Sequence, residues 1–226
     1  VTDHTDLSNG YAQVLPSNRV TVFARPPVDG PSLAPFDDWL ELVITHELAH
    51  VVHLDHNDIL IGKVLRGVFG RADDDWPFFP GTATPGWVIE GLATWYESYL
   101  TDAGRVRGTF HEMIVRTAIL EGRFESLGQA SGASPLWPGG TRSYAYGSLF
   151  FDHLLEKYGK DRMTAFVDAF AGQWFPYRIN AAGREAFGVS LTEAWDAWEE
   201  ELRERYENYD AELARQGPVT TPERLT

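Results

Sequence analysis

The sequence predicts an α+β protein in which a small N-terminal antiparallel sheet and one long apolar helix precede a mostly helical region. Three observations predict this class. Two short extended stretches near the N-terminus flank a turn at residues 16–18, which is typical of a β-hairpin. An apolar run long enough for a helix follows at residues 36–54. After it, helical patterns alternate with segments that are rich in proline and glycine.

The predicted boundaries follow from capping residues and from breaks in the apolar pattern. Asp37 or Asp38 can accept the free N–H groups of the long helix, which ends near residue 54. Pro85 suits the first turn of a later helix, and loops are predicted at residues 71–85 and 128–140. Strands are predicted at 11–15 and 19–25, and the other helices at 58–69, 85–100, 109–121, 141–158, 161–172, 179–187 and 191–215.

Composition limits the class of protein. The chain has 226 residues, enough to bury a sizeable core, and its formal charge of −14 argues against binding to nucleic acid or to anionic membranes. It has no cysteine, so a metal site needs nitrogen and oxygen ligands. No apolar run approaches the roughly 18 residues of a membrane span. We expect one domain at residues 1–215 and a polar linker at 216–226 that leads to a domain outside this chain.

The motif His46-Glu47-Leu48-Ala49-His50 is the strongest indication of chemistry. Histidines four positions apart lie on one face of a helix, where two neutral imidazoles can bind one Zn²⁺. A glutamate between them can act as general base toward a water molecule on that ion. The apolar residues around the motif predict a helix that is buried nearly all round, so its polar groups need partners. The alternative is a pair of hydrogen-bonded core histidines without a metal.

A catalytic zinc site needs a third protein ligand, and Glu90 is the first candidate. It lies in the apolar stretch at residues 87–97, which predicts a second helix facing the first. Two histidines and a glutamate form a known catalytic ligand set. Glu97 is seven positions further along the same face, where it can accept a hydrogen bond from a ligand histidine and fix its tautomer.

His56 is the competing candidate for the third ligand, because the stretch from His46 to His56 reproduces the spacing of metzincin ligands. That pattern has a glycine where this chain has His53, and the methionine turn has no convincing counterpart here. His53 lies about 10 Å along a straight helix from His46, too far to share one ion. We expect it to line a pocket, to contact a ligand residue or to be a satisfied core histidine.

Three blocks of the sequence resemble the gluzincin zinc peptidases, and in particular the bacterial peptidase MA-like family related to thermolysin and the aminopeptidases. The blocks are residues 46–50, 87–97 and 144–147. The resemblance implies a zincin-like fold and one catalytic Zn²⁺ held by the two motif histidines and Glu90, with Glu47 as the base. It also implies export to the periplasm or the cell exterior, and an attached β-propeller in a longer precursor.

The block at residues 144–147 resembles the Y-x-K-G block of the aminopeptidases, whose tyrosine stabilises the oxyanion. Tyr144 matches that tyrosine, and Tyr146 stands where a lysine is usual, so Tyr144 is the first candidate for this role and Tyr146 the second. Packing aromatics at the start of a helix are the alternative. The G-x-M-E-N motif, with which aminopeptidases hold a free amine, is absent from this sequence. Its absence favours an endopeptidase.

We therefore expect a zinc peptidase that acts on peptides or proteins, with Glu47 as general base. The strand at residues 19–25 is the candidate for pairing with an extended substrate. The alternative is a peptidase-like binding module without activity, although a purely structural site has no need of Glu47.

Overall fold

The computed structural model describes residues 8–14, 17–28, 32–33, 35–56, 64, 67, 84–132, 135–173 and 178–217. Within these residues the chain is mostly helical with one two-stranded antiparallel sheet, in agreement with the predicted α+β class. The strands are β1 (Gly10–Gln13) and β2 (Arg19–Val22). The helices are α1 (Trp39–Asp55), α2 (Gly86–Leu100), α3 (Thr109–Leu120), α4 (Arg142–Tyr158), α5 (Arg162–Ala171), α6 (Ile179–Phe187) and α7 (Leu191–Gln216).

The predicted helices that fall in the described residues are confirmed, with ends that shift by a residue or two, whereas the strands are shorter than predicted. β2 ends at Val22 rather than at residue 25. Phe23, the next residue, still donates its N–H to the carbonyl of Asn9, and its own carbonyl accepts the indole N–H of Trp39. β1 ends at Gln13 rather than at residue 15. The loop predicted at 128–140 contains two short 3-10 turns, Gln129–Ser131 and Gly139–Thr141.

Several predictions fall largely outside the described residues. They concern the helix at 58–69, most of the loop at 71–85 and the linker at 216–226. Val64 and Gly67 are described and are helical, and Gln216 is the last residue of α7.

Helix α1 begins at Trp39 because Asp38, rather than Asp37, accepts the backbone N–H of Glu41 at 2.9 Å. One side of the helix packs on the sheet through a small apolar cluster. The cluster consists of Val22, Trp39, Leu42 and Val43. Its register places the three polar residues of the 46–50 motif on the same buried side.

The prediction that α1 is buried nearly all round is wrong, because four apolar side chains on its other side are exposed. The exposed fractions are 45% for Leu40, 42% for Ile44, 50% for Leu48 and 72% for Val52. Among the described elements β1, β2 and α2 pack closely on α1, and they cover one side of it. Apolar composition alone therefore overestimated how many neighbours this helix has.

A second and larger core is built from α2 to α7 around tightly packed aromatic rings. Trp87 of α2 contacts Phe150 and Phe151 of α4 and Trp195 of α7, with ring centroids 5.5 to 6.0 Å apart. A capping box of Ser190 and Glu193 starts α7. None of the helices in the described part of the chain is long and apolar enough to span a membrane.

Helices α2 and α4 cross at two glycines, with their backbones in contact. A Cβ atom on Gly91 would lie 2.4 Å from the carbonyl carbon of Gly147, and one on Gly147 would lie 2.1 Å from the carbonyl oxygen of Trp87. No side chain larger than hydrogen fits at either position without separating the helices. The crossing brings the first turn of α4, which carries Tyr144, next to Glu90 of α2.

Candidate metal centre

Helices α1 and α2 bring His46, His50 and Glu90 together, as the sequence predicts. The Nε2 atoms of the two histidines are 3.1 Å apart, and Oε2 of Glu90 lies 3.4 Å from each of them. Both histidines are buried, and Glu90 is partly buried at the edge of a cleft. Among the described residues, this is the one group of three side chains whose arrangement could hold a metal ion.

The spacing of these three atoms fits a tetrahedral ion. Ligand atoms at about 2.0–2.1 Å from a four-coordinate Zn²⁺ are roughly 3.3 Å from one another. Oε2 of Glu90 is buried without a hydrogen-bond partner, and so is Nδ1 of His50. Burial raises the pKa of Glu90, but the two imidazoles outweigh that effect and hold its pKa below the usual range. The carboxylate is therefore ionised and available as a ligand.

Glu97 contacts the far side of His46, which confirms its predicted contact with a ligand histidine. Its Oε2 atom lies 3.1 Å from Nδ1 of His46, and the side chain is fully buried. A histidine that binds an ion through Nε2 carries its proton on Nδ1, so this contact is a hydrogen bond from His46 to Glu97 in the metal-binding tautomer.

Arg105 is a buried partner of this site that sequence reasoning missed. Its Nε donates to Oε1 of Glu97 at 2.7 Å, and its Nη2 donates to Oε2 at 2.9 Å. Although burial raises the pKa of Glu97, the charge and hydrogen bonds of Arg105 lower it to about 2. The indication that could have revealed such a partner is Glu97 itself, because a buried carboxylate requires a positive charge nearby.

Glu47 is buried beside the two histidines, and β1 passes directly across it. A Cβ atom on Gly10 would lie 2.9 Å from Oε1 of Glu47 and 2.6 Å from Val43, so a larger residue there would displace one of these side chains or the strand. Burial raises the pKa of Glu47, although the neighbouring histidines oppose the shift. A carboxylate with a raised pKa is better suited to exchange protons near neutral pH.

These residues lie in a cleft of about 430 Å³. The strand that lines it is β1, through residues 10–12 and the preceding Asn9, rather than the strand at 19–25 that the sequence suggests for pairing with a substrate. β1 lies between β2 and the cleft, an order that the sequence of two short strands could not reveal. The apolar part of the described lining consists of Ala12, Leu33, Trp39, Leu42, Val43, Leu54 and Ile89.

Tyr144 lines the cleft, whereas Tyr146 lies in the aromatic core. The ring of Tyr144 stacks on His46, with centroids 6.0 Å apart and planes inclined by 22°. Burial and the negative charge of Glu90 raise the pKa of Tyr144, so its hydroxyl keeps its proton and can donate it in a hydrogen bond. Tyr146 is 1% exposed and stacks on Trp195 at 5.9 Å.

The structure places neither His53 nor His56 with the candidate ligands. Nε2 of His56 lies 2.9 Å from Oδ1 of Asp168, in an exposed pair on the other side of α1. His53 is buried and lines a second, largely apolar pocket beside Leu48 and Val52. Burial lowers the pKa of His53 to about 4, so it is neutral at physiological pH.

No protein-family model, curated protein or solved structure matches this chain in the comparisons with known proteins. The chemical interpretation of the site therefore depends on its own residues and their geometry.

Proposed function

We propose that this chain is a zinc-dependent peptidase of the gluzincin type. The observation that carries the proposal is the near-equal spacing of three buried ligand atoms, at 3.1 and 3.4 Å, beside the ionisable side chain of Glu47. Two nitrogens and one carboxylate oxygen are typical ligands of catalytic zinc, whereas Ca²⁺ and Mg²⁺ favour oxygen ligands in larger number.

The charges around the site also favour a divalent cation. The carboxylates of Glu47, Glu90 and Glu97 are accompanied by the guanidinium of Arg105, which leaves two negative charges among the four side chains when all are ionised. A bound Zn²⁺ would neutralise them. Buried charges are tolerated when they are paired or coordinate a metal, so a dication supports this arrangement better than an empty site does.

A zinc ion held by His46, His50 and Glu90 would supply Lewis-acid chemistry, polarising the scissile carbonyl and lowering the pKa of a water molecule so that it can be deprotonated for attack. Glu47 accepts the proton of that water and later donates it to the leaving amine. Tyr144 donates its hydroxyl hydrogen to the oxygen that becomes negative in the tetrahedral intermediate. Its ring packs against both His46 and the guanidinium of Arg105, whose central carbon lies 4.8 Å from the ring centroid.

The edge of β1 is the proposed site for the backbone of an extended substrate. Phe23 donates its N–H to the carbonyl of Asn9, so that pair is hydrogen-bonded across the sheet. In an antiparallel pair the bonded positions alternate, and the backbone groups of Gly10 and Ala12 consequently point away from β2. These groups lie along the cleft and are available to pair with a bound peptide.

The charges that line the cleft favour an endopeptidase. An exopeptidase must hold a chain terminus, which requires a free cation for a carboxylate or a free anion for an amine. Among the described lining residues, the positive charge of Arg105 is paired with Glu97. Glu47 and Glu90 are occupied by their roles as base and ligand. The cleft therefore suits the uncharged backbone inside a longer peptide.

The test compares the wild type with Glu47→Gln, using bound zinc and hydrolysis of a quenched fluorescent casein as readouts. We expect both proteins to bind one zinc ion per chain and the variant to lose at least a hundredfold in kcat, since general-base catalysis contributes about that much or more. Zinc binding without hydrolysis by the wild type would favour the binding module, and hydrolysis at the wild-type rate by Glu47→Gln would exclude the proposed base.

A further inference from the structure

We propose that Arg105 is a positioning residue of the metal centre, which orients His46 by fixing the carboxylate of Glu97. An ionised carboxylate has about four acceptor positions. In Glu97, Oε1 accepts the backbone N–H and the Nε–H of Arg105 at 3.1 and 2.7 Å. Oε2 accepts Nη2–H of Arg105 at 2.9 Å and lies 3.1 Å from Nδ1 of His46. One residue thus supplies three of the four donors, and His46 is left with the last position.

The same guanidinium also contacts His46 directly. Nη2 of Arg105 lies 3.0 Å from Nδ1 of His46, close enough to compete with Glu97 for that atom. Because the guanidinium can only donate, it would pair with the tautomer whose Nδ1 lacks hydrogen, and that tautomer cannot bind an ion through Nε2. Glu97 favours the metal-binding tautomer in this competition, because its ionised carboxylate is fixed where it can accept a hydrogen bond from Nδ1–H. The fork of Arg105 holds the acceptor in place.

The loop between α2 and α3 is built to place Arg105 beneath the site. It folds back on the last turn of α2, where Oγ of Ser98 accepts the N–H of Val106 at 3.1 Å. Gly104 has a φ of +94°, and a Cβ atom there would lie 2.2 Å from the same Oγ. Thr101 closes the turn by donating to the carbonyl of Glu97 and accepting the N–H of Ala103. These contacts fix the backbone of Arg105 independently of the hydrogen bonds that its side chain makes.

A counter-charge alone would not require this geometry. Among the described residues, the charged or titratable groups that interact with Arg105 are Glu47, Glu90, Glu97, His46 and Tyr144 of the site, together with His111, which burial keeps neutral. Lysine at position 105 would preserve the positive charge but not the two parallel hydrogen bonds of the fork. Arg105→Lys therefore separates orientation from charge.

The inference builds on the proposed zinc site, and its test is a zinc dissociation constant rather than peptidase activity. Competition with a chromophoric chelator is measured for the wild type, Arg105→Lys, Glu97→Gln and the double variant. Arg107→Lys is the matched control, because Arg107 lies in the same loop and donates to the carbonyl of Thr101 without touching Glu97. Thermal unfolding of the zinc-free proteins verifies that each variant is folded.

We expect Arg105→Lys to weaken zinc binding about 10- to 100-fold, the range found for partners of metal ligands, and Arg107→Lys to leave it unchanged. In the Glu97→Gln background, Arg105→Lys should add little, because its effect passes through the carboxylate that has been removed. Wild-type affinity in folded Arg105→Lys, or full additivity of the two substitutions, would overturn the inference. A wild type that binds zinc but hydrolyses no peptide would refute only the peptidase proposal, whereas one without zinc affinity would overturn both.

Discussion

Gly91 and Gly147 lie against each other where α2 and α4 cross. The backbones are so close that a Cβ atom added to Gly91 would lie only 2.4 Å from the carbonyl carbon of Gly147. The contact sets the distance between the helix that carries Glu90 and the helix that carries Tyr144. Closely packed backbones transmit a small displacement to the side chains beside them.

We predict that Gly147→Ala destabilises the protein by about 1–3 kcal/mol, the usual cost of overpacking, and lowers kcat by moving Tyr144 away from Glu90. The free energy of unfolding in urea and the rate of casein hydrolysis measure the two effects. Gly128→Ala is the matched control, because nothing lies within 4 Å of a Cβ atom at that position and its φ is −70°. Unchanged stability in Gly147→Ala would contradict the observed contact.

We predict that Tyr144→Phe and Tyr146→Phe have different consequences. Loss of the Tyr144 hydroxyl should lower kcat about 10²- to 10³-fold, as loss of an oxyanion donor does, while zinc affinity stays within a few-fold of the wild type. Tyr146→Phe should leave turnover intact, because this ring lies in the core rather than in the cleft, and should cost about 1 kcal/mol of stability through the lost hydrogen bond of its hydroxyl with the backbone of Glu125. Equal turnover in the two variants would remove Tyr144 from the mechanism.

We predict that Gly10→Ala impairs catalysis more than folding. The added methyl group would press on Oε1 of Glu47 and on Val43, so the base or the strand must move. A displacement of this size can reduce kcat about a hundredfold. Kinetic assays at full zinc occupancy give the result, and Gln13→Ala, an exposed change on the same strand, is the control. Normal turnover in Gly10→Ala would show that β1 does not constrain Glu47.

We predict that His111 makes stability fall in acid. Burial, assisted by Arg105, lowers the pKa of His111 from 6.5 to about 3 in the folded protein. Between these values the unfolded chain binds a proton that the folded chain does not, so the free energy of unfolding decreases as the pH falls through that range. At pH 5 the loss relative to neutral pH is about 2 kcal/mol.

The variant His111→Gln removes this proton while keeping a polar side chain beside Ser148, whose hydroxyl lies 3.4 Å from Nδ1. Urea unfolding at pH 7.5 and pH 5, both in the presence of chelator, gives the measurement. The variant should lose less stability than the wild type over this interval, by about 2 kcal/mol. The other histidines contribute equally to both proteins, so parallel pH profiles would rule out this role of His111.

The candidate ligands were predictable because they depend on local periodicity. The spacing of His46 and His50 on one helix, and of Glu90 and Glu97 on another, places each pair on a single face before any tertiary contact is known. The capping oxygen of Asp38 and the capping box of α7 are equally local signals. These local signals predicted where the helices of the described residues lie.

The features that sequence reasoning missed all depend on contacts between distant elements. The role of Arg105 depends on how a loop folds back over α2, and the left-handed backbone of Gly104 that permits this fold is not specified by the loop sequence alone. The order of β1 and β2 beside the cleft depends on where the hairpin docks. The exposed side of α1, with Val52 at 72%, depends on which neighbours are present, and an apolar helix gives no indication of their number.

The proposed ligands belong to two separately packed parts of the chain. His46 and His50 extend from the helix whose apolar cluster includes Trp39 and Leu42, while Glu90 extends from the helix that carries Trp87 into the larger aromatic cluster. A bound ion would therefore act as a cross-link between a minor and a major core. Its withdrawal should loosen the minor core first, leaving the bundle behind it intact.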